Sequence, residues 1–344
     1  MNAEQDAWIV RAMCEPGFYD HPVAEVALIE THISWVFLAG DFAYKVKKPL
    51  DFGFLDFSTL AKRHHYCREE LRLNRRFSTN IYLALIHIGG SPDAPIINGD
   101  PALEYAVKMR RFPQGCQLDR MLAAGQLQTR HLVVFADMIA TQHQRAATAD
   151  ADSPYGRPAA VIDPALENFS QLSVLVKGTD HEPQLAKLEQ WTGETCAVLQ
   201  PVFRQRKVDG FIRECHGDLH LANMAWLDGQ PLLFDCIEFN ENLRWIDVVN
   251  EIAFLAMDLD DREQTELGWI FLNRYLHETG DYRGVSLLNF YKTYRAMVRA
   301  KVTGLRLAQD CLLYTSPSPR DSYADLVCRL LLENGGGGGG GGGG

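Results

Sequence analysis

The sequence predicts an α+β chain of two lobes, a small antiparallel-sheet lobe over residues 1–110 and a larger helical lobe over residues 111–310. Two observations carry that division. β-branched and aromatic runs punctuated by tight turns crowd the first part, whereas apolar residues from Leu118 onward recur at helical spacing. A third is the one clear hairpin pattern within the helical part, over residues 223–235, where the chemistry-bearing residues gather.

In chain order, residues 6–15 read as a short amphipathic helix stopped by Pro16-Gly17. Strands follow at Val23 to Thr31, Ile33 to Ala39 and Phe42 to Lys48, with Gly40-Asp41 as a tight turn between the last two. A charged helix from Ser58 to Phe77 is inserted before two further strands, Ile81 to Ile88 and Tyr105 to Arg110. Helices are then expected at Leu118 to Leu127, His131 to Ala146 and Gln184 to Gln205, and after the hairpin at Trp245 to Leu259, Thr265 to Glu278 and Val285 to Ala308. Residues 148–182, rich in Ala, Asp, Pro and Ser, are expected to form a long loop. The tail from Cys311 to Gly344 resembles translated sequencing adapter followed by a run of G base calls, and it is set aside from the fold.

With 34 basic against 44 acidic residues the chain carries a formal charge of −10, which argues against nucleic acid as its main partner. Cys14, Cys67, Cys116, Cys196, Cys215 and Cys236 are widely spaced, without a Cys-x-x-Cys pair for zinc or a dense disulfide framework. They read as reduced thiols of a cytoplasmic protein. No signal peptide is evident and no apolar run approaches the ~18 residues that span a bilayer, so no membrane partner is expected.

The stretch His216-Gly217-Asp218-Leu219-His220-Leu221-Ala222-Asn223 precedes the hairpin, and Asp235 closes it. A turn centred on Gly229 would bring the Asn223 amide oxygen beside the Asp235 carboxylate, an oxygen pair suited to Mg²⁺ with phosphate oxygens completing the shell. Phosphoryl transfer needs held phosphates, neutralised charge and an aimed hydroxyl. Asp218 is the candidate that accepts or orients the hydroxyl proton. The strand Tyr44-Lys45-Val46-Lys47 offers a lysine for the phosphates; alternation puts Lys45 and Lys47 on one face, and Lys45 is preferred with Lys47 left open. Its anionic partner would come from the following helix, Glu70 before Glu69. His216-x-Asp218-x-His220 taken alone has the look of a hydrolase metal cluster, but that reading leaves the Asn223/Asp235 hairpin without a job. His216 is read instead as a loop anchor. Glu238 and Glu241 either face a cationic substrate or pair with Arg244, the second being preferred.

His-Gly-Asp-Leu-His-x-x-Asn, the hairpin, its closing Asp, and the upstream lysine and glutamate together resemble the aminoglycoside phosphotransferase and choline kinase family of protein-kinase-like folds. The likeness is closer to the phosphotransferase-like half of bacterial bifunctional aminoglycoside phosphotransferase/ATP-binding proteins. It is carried by Glu30 to Phe37, Tyr44 to Pro49, Phe54 to Phe57 and Arg244 to Leu255, and covers residues 20–310. The resemblance implies a kinase that uses ATP and Mg²⁺ to phosphorylate an alcohol group of a small molecule. It also implies Asp218 as catalytic base, Asn223 and Asp235 as magnesium ligands, Lys45 and Glu70 as the phosphate-binding ion pair, and Asp247 as a carboxylate bracing the catalytic loop.

Two departures accompany it. No Gly-x-Gly-x-x-Gly covers the phosphates; the corresponding turn is Thr31-His32-Ile33-Ser34, whose amides and hydroxyls would have to serve. The subgroup often carries a fused downstream P-loop ATP-binding domain, and no Gly-x-x-x-x-Gly-Lys-Ser/Thr occurs here. A non-catalytic nucleotide-binding module serving such a domain is the alternative expectation. The acceptor is not encoded in any residue of the motif.

Overall fold

The computed structural model describes residues 3–53 and 55–313 of the chain. Phe54 and the adapter-like tail from residue 314 onward lie outside the described residues. Helix α1 (Ala3–Met13) is followed by strands β1 (Val26–Glu30), β2 (Ser34–Ala39) and β3 (Phe42–Lys47). Helix α2 (Leu60–Asn74) comes next, then β4 (Tyr82–Ser91), β5 (Ala94–Ile97) and β6 (Ala102–Arg110). Helices α3 (Leu118–Ala123), α4 (Thr129–Arg145), α5 (Pro158–Val176) and α6 (Glu182–Val208) lead to strand β7 (Ile212–Glu214). The hairpin β8 (Met224–Leu227) and β9 (Gln230–Leu233) precedes β10 (Trp245–Asp247), α7 (Val248–Asp261), α8 (Thr265–Thr279) and α9 (Leu288–Leu313).

Packing divides the chain into two units: Met1–Leu127 with Ala222–Arg244, and Gln128–Leu221 with Trp245 onward. The hairpin, assigned from sequence to the helical lobe, therefore packs with the sheet. The first unit is a six-stranded sheet in the order β1-β2-β3-β6-β4-β5, antiparallel at every pairing. Its two faces have different clients. Tyr44 and Val46 of β3 join Trp35, Phe37, Ile86 and Ile88 in a core closed by Ile9 and Met13 of α1. On the opposite face Val107 packs with Cys67 of α2 and with Ala225 and Leu232 of the hairpin. Because side chains alternate along β3, Lys45 and Lys47 are delivered to this second face, towards α2. Helix α2 starts where the Thr59 hydroxyl accepts the Lys62 N–H, a standard N-cap.

The hairpin register differs from the expected one. Leu227 pairs with Gln230, so Asp228 and Gly229 alone form the turn, both at positive φ (52° and 77°) as a two-residue primed turn demands. Met224 then faces Leu233, and the Phe234 N–H donates to the Asn223 carbonyl at 3.1 Å. Asn223 is thus opposite Phe234, one position short of Asp235. A turn centred on Gly229 is not formed because Asp tolerates the left-handed conformation and lets the shorter loop close.

The second unit is helical. Helices α5, α6 and α9 share Phe169, Leu172, Val176, Leu185, Met297 and Ala300. The long loop expected over 148–182 is largely helix α5. Pro158 sits in its first turn, where a missing N–H costs nothing, and Ala165, Asn168, Phe169, Leu172 and Val176 are buried at helical spacing. The polar composition concealed that stripe. Helix α7 is buried from Val248 to Leu259 and packs on α8 and α9, while β7 pairs antiparallel with β10. No helix among the described residues is long and apolar enough to cross a membrane.

Candidate functional site

The first unit gathers Lys45, Lys47, Glu70, Asp235 and Glu238 into one charge cluster. Helix α2 brings the fully buried Glu70 carboxylate to both lysines, 2.9 Å from the Lys45 ammonium and 2.7 Å from that of Lys47. Lys45 also reaches Asp235 Oδ1 at 2.5 Å, and Lys47 reaches Glu238. Glu69 lies elsewhere, paired with Arg72 at 2.8 Å. The two lysines differ in access: Lys45 keeps 13% of its side chain exposed and Lys47 none. Only Lys45 is therefore open to a ligand.

Two ammoniums face three carboxylates, and the electrostatics follow. Burial would raise the Glu70 carboxyl, but Lys45 and Lys47 hold it at about 2. Burial pushes the Glu238 carboxyl up, and Lys47 only partly opposes this. Burial disfavours charge on Lys45, yet Asp235 and Glu70 keep its ammonium well above the usual lysine range. Glu70 thus contributes stability fully present above its ordinary value near 4.5 and lost as the pH falls through that value towards about 2. The difference in urea midpoint between wild type and Glu70→Gln is expected to be largest near neutrality and to shrink progressively below pH 4.5; a difference independent of pH would contradict the ionised pairing.

Asp235 carries the unusual backbone of the site, φ +64° in a residue with a side chain. Its N–H donates to the Tyr82 hydroxyl at 3.0 Å, and the next N–H, of Cys236, donates to Asn74 Oδ1 at 2.9 Å. The carboxylate remains 48% exposed. The uncompensated negative charge and this accessible carboxylate, beside the Asn223 backbone-anchored hairpin end, fit a hard divalent cation in need of oxygen donors. Among the described residues no three His, Cys, Asp or Glu side chains are arranged to hold a metal ion, His216, Asp218 and His220 included. A cation at Asn223 and Asp235 would draw its remaining oxygens from a ligand's phosphates.

Thr31 and Ser34 flank the turn between β1 and β2. The Thr31 hydroxyl donates to the Ser34 carbonyl at 3.0 Å and accepts the Ser34 N–H at 2.9 Å, so it serves the turn itself. The Ser34 hydroxyl is buried and has no hydrogen-bond partner among the described residues.

The second unit holds Asp218 on the loop that follows β7. Gly217, at φ +90°, makes the bend that presents it. Asp218 Oδ2 lies 3.3 Å from His220 Nε2, and its carboxylate is a third exposed. Burial opposes its charge, but His220, His216 and Arg295 hold the carboxyl below the ordinary range, ionised at neutral pH. His216 is fully buried and its Nδ1 accepts the Asp218 N–H at 3.3 Å, which anchors the loop from within.

The brace expected of Asp247 is supplied by other residues. Asp247 caps α7 by accepting the Val249 N–H and pairs with Arg206, which also binds Asp281. The loop itself is held by Glu251, whose two oxygens accept the His216 and Gly217 N–H groups, each at 2.8 Å. Arg295 donates to the Gly217 carbonyl at 3.0 Å, and Asp258 accepts the Leu221 N–H at 2.8 Å. Sequence reasoning passed over these three residues. For Glu251 and Asp258 the signal was a polar side chain set into the apolar stretch of α7; Arg295, on α9, carried no such signal.

Residues 108–288, more than half of the chain, match the family described as the phosphotransferase enzyme family. The chain belongs to the phosphotransferase enzyme family. The matched span takes in Asp218, Asn223, Asp235 and Glu251. Uncharacterised proteins of Mycobacterium tuberculosis and Mycobacterium bovis are each 35% identical over 295 residues, covering 84% of this chain and 57% of theirs. The chain thus spans little more than half the length of these relatives. Among solved structures, a choline/ethanolamine kinase family protein from Mesorhizobium loti superposes with a TM-score of 0.52 at 14% identity, over 95% of this chain and 93% of the other. A glucosamine kinase gives 0.50 at 14% identity, over 97% and 81%. The fold of this chain is the α+β, two-lobed, kinase-like one the sequence predicts.

Proposed function

We propose that this phosphotransferase moves the γ-phosphate of ATP to a hydroxyl of a small molecule with the help of Mg²⁺. The observation that carries the proposal is the Lys45 ammonium held between Glu70 and Asp235, an accessible cation fixed by one buried acid and touching one exposed acid. Lys45 would neutralise phosphate oxygens, which compete with Asp235 for its ammonium. Asn223 and Asp235 would hold Mg²⁺, which when bound neutralises charge on the transferring phosphate. Asp218 would accept or orient the acceptor's hydroxyl proton, and the Thr31–Ser34 turn would lie against the phosphates. The cytoplasm is the proposed location, and the acceptor is an alcohol of unassigned structure.

Asp235→Ala is expected to raise the magnesium concentration giving half-maximal ATP turnover by at least about tenfold, since a lost ligand typically costs that much or more. Turnover is followed against a panel of hydroxylated metabolites, with metal titrated at fixed ATP. An unchanged magnesium dependence would remove Asp235 from the metal site.

A further inference from the structure

We propose that Lys47 and Glu238 are positioning residues that set Asp235 for metal binding, leaving Lys45 alone to meet the ligand. The inference rests on the phosphotransfer reading above. It begins from a wasteful arrangement: Lys47 has no exposed side chain, Glu238 has 4%, and the Lys47 ammonium sits 4.8 Å from the centre of the Phe57 ring. A cation with no exposure meets no nucleotide. Burying an ion pair rarely stabilises a fold better than apolar residues of the same volume, and its best-attested use is to fix one arrangement over others.

What the pair fixes is the segment that carries Asp235. Glu238 lies three residues beyond Asp235, whose left-handed backbone persists only where its surroundings over-determine it. Four contacts do so. The Ser78 hydroxyl donates to the Leu233 carbonyl, Tyr82 receives the Asp235 N–H, Asn74 receives the Cys236 N–H, and Lys47 takes the Glu238 carboxylate. The Asn74 amide also donates to the Glu70 carbonyl at 2.8 Å. Strand β3 and helix α2, which supply Lys45 and Glu70, therefore also hold the chain downstream of Asp235, through Lys47 and Asn74, while Ser78 and Tyr82 hold it before and at Asp235; Lys47–Glu238 is the clamp at the downstream end. Glu70 joins the two lysines, so the carboxylate meant for metal is registered against the ammonium meant for phosphate.

The test replaces both partners with apolar residues of similar size, Lys47→Met with Glu238→Leu, so that neither charge is orphaned. Mn²⁺ binding is read by electron paramagnetic resonance with a non-hydrolysable ATP analogue present, and analogue binding without metal by calorimetry. The expected result is a metal affinity lowered about tenfold, as for other residues that orient a metal ligand, with metal-free analogue binding unchanged. Lys45→Met is expected to do the reverse, weakening metal-free analogue binding first. If the double variant does not fold, Glu238→Gln gives the same readout, with a metal affinity lowered about threefold because the amide keeps one neutral hydrogen bond to Lys47, whereas Lys47→Arg alone, which keeps the charge pair, is expected to retain most of it. A folded variant that binds Mn²⁺ as wild type does overturns the positioning role alone. A wild-type chain that binds no metal–nucleotide overturns the phosphotransfer reading and this inference with it.

Discussion

Asp218→Ala is expected to lower kcat for phosphoryl transfer about a thousandfold, within the range a positioned acid or base contributes, while nucleotide affinity stays within about twofold. The asymmetry follows from where the residues lie. Asp218 belongs to the second unit, whereas Lys45, Glu70, Asn223 and Asp235 belong to the first. Its carboxyl, held below the ordinary range by His220, His216 and Arg295, is a weak base. Its contribution is thus expected to come more from aiming the hydroxyl than from removing its proton early. Asp218→Asn, which keeps the shape but accepts less well, is expected to fall almost as far. Single-turnover rates with ATP, beside calorimetric binding of a non-hydrolysable analogue, check both halves, and turnover retained in Asp218→Ala would refute the assignment.

The second large effect concerns stability. Glu251→Ala is expected to destabilise the protein by about 3 kcal/mol, because two buried N–H groups lose their acceptor at about 1–3 kcal/mol each. Glu251 is 2% exposed, and its oxygens are each 2.8 Å from the His216 and Gly217 nitrogens. Water cannot easily replace a side chain at that depth. Glu251→Gln, which keeps one acceptor oxygen, is expected to lose roughly half as much. Urea unfolding followed by circular dichroism gives the comparison, and a wild-type midpoint in Glu251→Ala would show that the loop is held by something else. Activity is expected to fall further than the folded fraction, since the same contacts aim Asp218.

Why the fold was legible is clear from particular elements. The strands of the first unit carried their period of two, and Gly40-Asp41 marked its turn, because each local choice agreed with the fold. Helix α5 was hidden by polar residues between its buried positions, and β5 by its shortness. The hairpin was found but its register was not, since Asp228-Gly229 closes a shorter loop than a turn centred on Gly229. At the candidate site, alternation placed both lysines on one face but could not say which of them has access to solvent. Glu251, Asp258 and Arg295 reach the loop from α7 and α9, and although the two acids stand out in an apolar helix, nothing in the local sequence says which distant backbone groups they hold.

The hairpin's allegiance has a consequence for how the protein is made. Residues 222–244 complete a unit whose other part ends at Leu127, and the intervening residues belong to the second unit. A nascent chain that has emerged only to residue 221 holds all six strands of its sheet, yet Cys67, Ile81 and Val107 still lack Ala225 and Leu232 to cover them. The first unit therefore cannot be completed until α4, α5 and α6 have been synthesised. No single cut separates the two units: a fragment ending at Leu127 would keep Lys45 and Glu70 but lose Asp235 and the apolar lid over α2. Isolating the first unit calls for excising residues 128–221 and joining Leu127 to Ala222 through a linker, with the chain ended at Arg244, rather than for a single truncation.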